Sequence, residues 1–138
     1  MEFLIRAAEI LQPNSSLHKA TKDILISEGK ITSIEDYIDY DGQIVSAENL
    51  KVSMGWMDMR AHYNDPGSEH KEDIDSGTLT ALAGGFTDVV LLPNTNPIVA
   101  TKNGVTYYQR YNRDSQLTLH PIAAVTVDCE GKELTEMI

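Results

Sequence analysis

Cysteine is almost absent from this sequence, and so is any excess of positive charge. Cys129 is the one thiol, which excludes an internal disulfide framework and fits a reducing compartment. No neighbouring cysteine or histidine pattern makes it a ligand or a nucleophile, so it reads as a small buried or half-exposed apolar residue. Eleven Lys and Arg stand against 21 Asp and Glu, a formal charge of −10. The basic residues are scattered and not striped, which argues against nucleic acid and anionic membranes as partners and reads as a soluble surface. Nowhere do 18 consecutive apolar residues occur, and no charged start leads into a long apolar run. A membrane span is therefore not expected, and a cytoplasmic location is. Gly-x-Gly-x-x-Gly, Walker and Gly-x-Ser-x-Gly signatures are missing too, which removes common phosphate-loop and serine-triad chemistries.

What is present centres on the stretch from Trp56 to Gly67. The apolar lead-in and the alternation after it predict a strand from Val52 to Asp58 that emerges into a loop running to Glu72. Side chains two apart on a strand share a face, so Asp58, Arg60 and His62 are expected to project together from the strand end. Open α/β folds and barrels place their chemistry at such an end.

The first fifty residues read as short β runs: Phe3–Ile5, Asp23–Ile26 and Ile31–Ile34, with a further strand within Gln43–Ala47. Ser27-Glu28-Gly29-Lys30 predicts a hairpin turn, with Gly29 taking the positive φ. From Val52 onward strands alternate with helices. Asp73–Ala83 predicts a helix with Ile74, Thr78, Ala81 and Leu82 on its packing stripe, and Gly84-Gly85 at its exit. Thr87–Leu92 is the continuous apolar run of a buried parallel strand. Pro93–Pro97 is a loop at its C-terminal end. Thr101–Asn112 predicts a second helix, with Thr101 as N-cap and Val105, Tyr108 and Tyr111 packing inward. Gln116–Val125 predicts a third strand, interrupted at Pro121. This order implies right-handed parallel crossovers.

Asp58-Met59-Arg60-Ala61-His62-Tyr63-Asn64-Asp65-Pro66-Gly67 resembles the Asp-x-His-x-His-Phe-Arg-Glu-Pro-Gly signature of dihydroorotases, in the amidohydrolase superfamily. His70-Lys71-Glu72-Asp73, Gly84-Gly85-Phe86-Thr87, Pro93-Asn94-Thr95-Asn96-Pro97 and Gly131-Lys132-Glu133-Leu134-Thr135-Glu136-Met137 match in the same order. The resemblance implies part of a small β-sandwich over 1–52, followed over 53–138 by the first three strands and two helices of a TIM-type (β/α)8 barrel. A complete barrel needs roughly 250 residues, so the chain is expected to stop partway round it. Open strand edges of that kind favour self-association.

The same resemblance implies zinc as the family cofactor and dihydroorotate as substrate, in pyrimidine biosynthesis. It makes His62 a metal ligand and Asn94 and Asn64 substrate-binding positions. Two departures bear on activity. Arg60 stands at the first histidine position and has no lone pair for a metal. Asn64 stands where the family has an arginine on the substrate carboxylate, and a neutral amide lacks that charge-assisted contact. One histidine does not make a zinc site, so no catalytic residue is assigned within this chain, and Arg60 is expected to pair with Asp58. Two functions follow: a metal-dependent cyclic-amide hydrolase by family, inactive in this chain, or a non-catalytic homologue serving as a partner of aspartate transcarbamoylase. His18, His120 and the charged run His70–Asp73 are expected to be structural, the last supporting the helix that follows it.

Overall fold

The computed structural model describes residues 1–113 and 115–136. The chain divides into two compact units, Met1–Met54 and Gly55–Ile138.

In the first unit, β1 (Glu2–Leu11), β2 (Thr21–Ser27) and β3 (Lys30–Glu35) form an antiparallel meander. Two short strands, β4 (Ile44–Val45) and β5 (Lys51–Ser53), pair with β1 in parallel. The predicted turn joins β2 to β3, with Gly29 at a φ of 74°. Leu4, Ala8, Ile10 and Ile24 are buried, where alternation along β1 and β2 sends one face inward. β1 carries a bulge: Ile5 lies opposite Ile24 and Ala8 opposite Lys22, so β1 takes one more residue than β2 there. Ala7 sits in the bulge at a φ of 51°, and its amide is satisfied by the Asp23 side chain at 2.8 Å.

β5 corrects the strand expected from Val52 to Asp58. Val52 and Ser53 belong to the first unit, opposite Ile10 and Leu11. The chain leaves that sheet at Met54-Gly55, and a separate strand begins at Trp56. Local alternation is continuous across the break, and pairing with residues forty positions upstream is what divides it.

The second unit is a parallel sheet of β6 (Trp56–Ala61), β7 (Phe86–Leu91) and β8 (Thr118–Pro121), with α1 (Ile74–Ala83) and α2 (Lys102–Tyr111) as crossovers. The third strand is shorter than predicted and ends at Pro121, which has no N–H to continue a ladder. Its core holds Tyr63, Ile74, Val89, Leu91, Val99, Tyr108, Leu117 and Leu119. Full burial of each large apolar side chain is worth roughly 1.5–3 kcal/mol.

Both helices start where predicted. Asp73 caps α1, accepting from the Ser76 amide at 2.7 Å, while the Ser76 hydroxyl accepts from the Asp73 amide in return. Glu72 accepts from the same hydroxyl. Thr101 Oγ1 accepts from the Gly104 amide at 3.2 Å. Thr101→Ala is expected to cost about 1 kcal/mol in urea unfolding, and Thr101→Ser to restore most of it. On α2 the packing differs from expectation. Tyr108 is buried and Val105 half-buried, but Tyr111 is exposed and Tyr107 is half-buried in its place. The Tyr107 ring meets both neighbours edge-on, 5.3 Å from Tyr108 and 5.6 Å from Tyr111. Cys129 is exposed on a short 3-10 turn, Val127–Cys129, and not in the apolar setting expected for it. Met137, in the last motif match, lies outside the described residues.

Candidate functional site

Three parallel strands bring their C-terminal ends to one side of the sheet, and the loops that follow them are bonded to one another there. The Leu92 amide donates to Ala61 O at 3.1 Å, the Ile122 amide to Leu91 O at 2.9 Å, and the Asn96 amide to Pro66 O at 2.9 Å. Gly67 takes a φ of 107°, and a Cβ on it would lie 2.3 Å from Asn96 O. The signature loop after β6 and the Pro93–Pro97 loop after β7 thus close tightly on each other.

Asp65 anchors the first of these loops. Its carboxylate accepts from the Ile74 amide at the start of α1 at 3.2 Å and from the Tyr107 hydroxyl at 2.9 Å. Its carbonyl accepts from the Tyr108 hydroxyl at 2.5 Å. Burial, the Tyr111 hydroxyl and the Asp65 carboxylate push the Tyr107 phenol far above its ordinary range, so it stays protonated and donating. No spacing in the sequence singles out Asp65; a carboxylate before Pro-Gly reads as turn chemistry, and its helix partners lie 9 to 43 positions away.

The strand end itself departs from simple alternation. Asp58 lies opposite Val89 and Ala61 opposite Leu91, so the three steps from 58 to 61 match two on β7. The Asp58 carboxylate accepts from the Arg60 backbone amide at 2.8 Å, which takes that N–H out of the ladder and stabilises the bulge. Asp58 and Ala61, set against the buried Val89 and Leu91, are half-buried, while Met59 and Arg60 are exposed. The expected common face for Asp58, Arg60 and His62 is therefore not formed. The expected Arg60–Asp58 ion pair is replaced by a bond from the Arg60 backbone, and among the described residues the Arg60 guanidinium joins none of the ion pairs.

His62 and Asn94 are brought together. Asn94 Nδ2 lies 3.1 Å from His62 Nδ1, a contact that ties the ring to the loop after β7. Asn64, at a φ of 57°, is turned onto its own loop, its amide donating to His62 O at 3.4 Å. His120 lies on β8, its Nε2 2.8 Å from Asp88 Oδ1, and the Thr87 hydroxyl donates to the other Asp88 oxygen. Those two bonds hold the Asp88 carboxyl below its ordinary range.

Zinc, which the signature implies, needs three or four nitrogen, sulfur or oxygen donors around one point. Among the described residues no three His, Cys, Asp or Glu side chains are grouped to offer them. Arg60 has no lone pair to offer. Among the described residues His62 is thus the one donor that the signature leaves at this strand end.

A parallel sheet with helical crossovers, and loops at the strand ends that are bonded to one another, defines the class as an α/β segment of barrel type. The family described as "Dihydro-orotase-like" matches residues 50–138, and the chain belongs to it. A protein named dihydroorotase from Elusimicrobium minutum is 39% identical over 137 residues, 98% of this chain and 32% of that one. Among solved structures, an L-hydantoinase (dihydropyrimidinase) from Arthrobacter aurescens aligns with a TM-score of 0.71 at 16% identity, over 90% of this chain and 28% of its own. A crystal structure of a dihydroorotase aligns at 0.62 and 15% identity, over 91% and 32%. The chain thus spans about a third of the length of the curated relatives it matches. Those alignments support the fold expected above, β-sandwich strands followed by the first βα units of a TIM-type barrel.

Proposed function

We propose that this protein is a dihydroorotase homologue of pyrimidine biosynthesis that does not itself hydrolyse the cyclic amide. The observation that carries this reading is Arg60, a side chain without a lone pair, on the bulge at the strand end where the signature has a histidine. In this chemistry a bound metal generates the hydroxide nucleophile at neutral pH by lowering the pKa of its water. A fixed guanidinium supplies charge but no such nucleophile. Asn94 and Asn64 keep the polarity of a substrate-carboxylate site, without the cation that would hold a carboxylate firmly. His62 then serves as a hydrogen-bonding residue and not as a ligand.

A second reading, a structural partner of aspartate transcarbamoylase, is favoured by the contrast between site and core. Ile74, Val89, Leu91, Tyr108, Leu117 and Leu119 are all at most 2% exposed, so packing is retained where ligand chemistry is not.

The test is dihydroorotate hydrolysis by the full-length protein in excess zinc, beside the double variant Arg60→His, Asn64→Arg. No turnover is expected from the unmodified protein, and turnover there would overturn the proposal. Activity in the double variant alone would locate the loss at these two positions. For the second reading, co-elution of the full-length protein with aspartate transcarbamoylase at micromolar concentration is the expected result, and separate elution counts against it.

A further inference from the structure

Asp65 is an acid that is 9% exposed, and neither the family signature chemistry nor the proposed reading gives it a part. Among the described residues it joins no ion pair. Its carboxylate is met instead by neutral donors from two helices: the Ile74 amide, at the first residue of α1, lies 3.2 Å from Oδ2, and the Tyr107 hydroxyl of α2 lies 2.9 Å from Oδ1. Both are charge-assisted bonds, the stronger kind. One side chain thus fastens the loop after β6 to both crossover helices.

The residues of the site stand beside Asp65 in the same loop. Asn64 Nδ2 donates to His62 O at 3.4 Å, the Asn64 carbonyl accepts from the Ser68 amide at 2.8 Å, and Asn94 reaches His62 Nδ1 at 3.1 Å. Two other ties of this stretch, from the Leu92 amide to Ala61 O and from the Asn96 amide to Pro66 O, lead to the loop after β7. The Asp65 carboxylate leads to helices, and a geometry set from regular elements is held more precisely than one set from loops.

We infer that Asp65 is a positioning residue of this site: through the Tyr107 hydroxyl and the Ile74 amide it sets where His62 and the side chain at position 64 stand at the strand ends. Among the described residues it is hydrogen-bonded to neither side chain, so it acts through the backbone of its own loop. The inference rests on the reading above only for which residues make up the site. It bears on that reading in turn, because the side chain introduced by Asn64→Arg is aimed by its neighbour.

The test follows the His62 ring and Asn94 side-chain amide resonances by NMR in the full-length protein carrying Asp65→Asn or Tyr107→Phe. Asp65→Asn keeps the shape and removes the charge, whereas Tyr107→Phe keeps the charge and removes one of its donors. Both are expected to shift the His62 and Asn94 resonances. Tyr111→Phe, which removes a hydroxyl 3.4 Å from that of Tyr107 and none from Asp65, is expected to leave them in place. A purely structural role would lower the urea midpoint of both variants and leave those resonances where they are, and that result would overturn the inference. So would a shift in Asp65→Asn alone, which would report the lost charge and not the lost tie, a shift in Tyr107→Phe alone, or an equal shift in Tyr111→Phe. If Asp65→Asn does not fold, Tyr107→Phe set against Tyr111→Phe still decides. No turnover is measured, so hydrolysis of the cyclic amide, which would defeat the reading above, leaves this result untouched.

Discussion

Replacing Asp23 by alanine is expected to destabilise the first unit by about 3–5 kcal/mol, the usual cost of removing one partner of a buried ion pair. Asp23 is 2% exposed. One oxygen accepts from the Ala7 amide at 2.8 Å, and the other from Arg6 Nη1 at 2.6 Å and the Ile38 amide at 2.9 Å. Arg6 also donates to Ile38 O at 2.9 Å and stacks over Tyr37 at 4.9 Å. Alanine leaves a guanidinium and two amides without their acceptor, and the Ala7 amide has no strand partner because it lies in the bulge. Hydrogen exchange of the β1–β2 ladder amides reads this directly, because the one tryptophan, Trp56, lies in the other unit. A loss under 1 kcal/mol would show that the bulge does not depend on Asp23.

The same group gives a pH dependence of defined sign. Burial alone would raise the Asp23 carboxyl, but the Ile38 and Ala7 amides and the Arg6 charge outweigh it and hold it below its ordinary value. The unfolded chain then binds the proton more tightly than the folded one. Asp23's contribution is therefore complete above the ordinary aspartate value of about 3.9, and is lost as pH falls through the lowered folded value. Asp23→Asn should flatten that acid limb and leave the pH dependence of stability near neutral pH unchanged.

Asp23 and Asp58 show which parts of the fold were legible in the sequence and which were not. Helix caps and the hairpin turn at Gly29 rest on neighbours a few residues apart, and local patterns carry that information, whereas β7 buries only Val89 and Leu91 and not the continuous run expected of it. The bulges at Ala7 and at Met59-Arg60 each rest on a carboxylate that satisfies a displaced backbone amide. An aspartate opening an apolar strand looks the same whether it faces solvent or a bulge opposite. The split of Val52–Asp58 between two units had a similar origin, since only the pairing of β5 with β1 reveals it. At the site, the two departures from the signature, Arg60 at a histidine position and Asn64 at an arginine position, could be read from the sequence alone. The Asn94–His62 contact, spanning 32 positions, and the anchoring of Asp65 by two tyrosines needed the fold. Alternation misled most at Arg60, where one extra residue reassigns every face beyond it.

Gly67→Ala is expected to cost about 2–4 kcal/mol, through backbone strain and collision together. Its φ of 107° is one that side-chain-bearing residues rarely adopt, and the added Cβ would meet Asn96 O at 2.3 Å and Asn96 Cβ at 2.6 Å. The Asn96 carbonyl has little room to retreat, because the amide of the same residue is bonded to Pro66 O at 2.9 Å. Gly29→Ala separates the two causes: its φ is 74° and nothing lies within 4 Å of the added atom, so it should show strain alone, about 1 kcal/mol. Urea unfolding followed through Trp56, whose ring meets Phe86 edge-on at 5.9 Å, measures the Gly67 variant. A cost equal to that of Gly29→Ala would mean the two loops yield without resistance. The consequence for the site follows from connectivity. Asn94 reaches His62 only because the loop after β7 is pressed against the loop after β6, and forcing them apart at Gly67 and Asn96 should lengthen that contact. His62 ring resonances are therefore expected to move in Gly67→Ala and to stay in place in Gly29→Ala. Unmoved His62 resonances in the Gly67 variant would show instead that the Leu92–Ala61 bond alone holds the pair together.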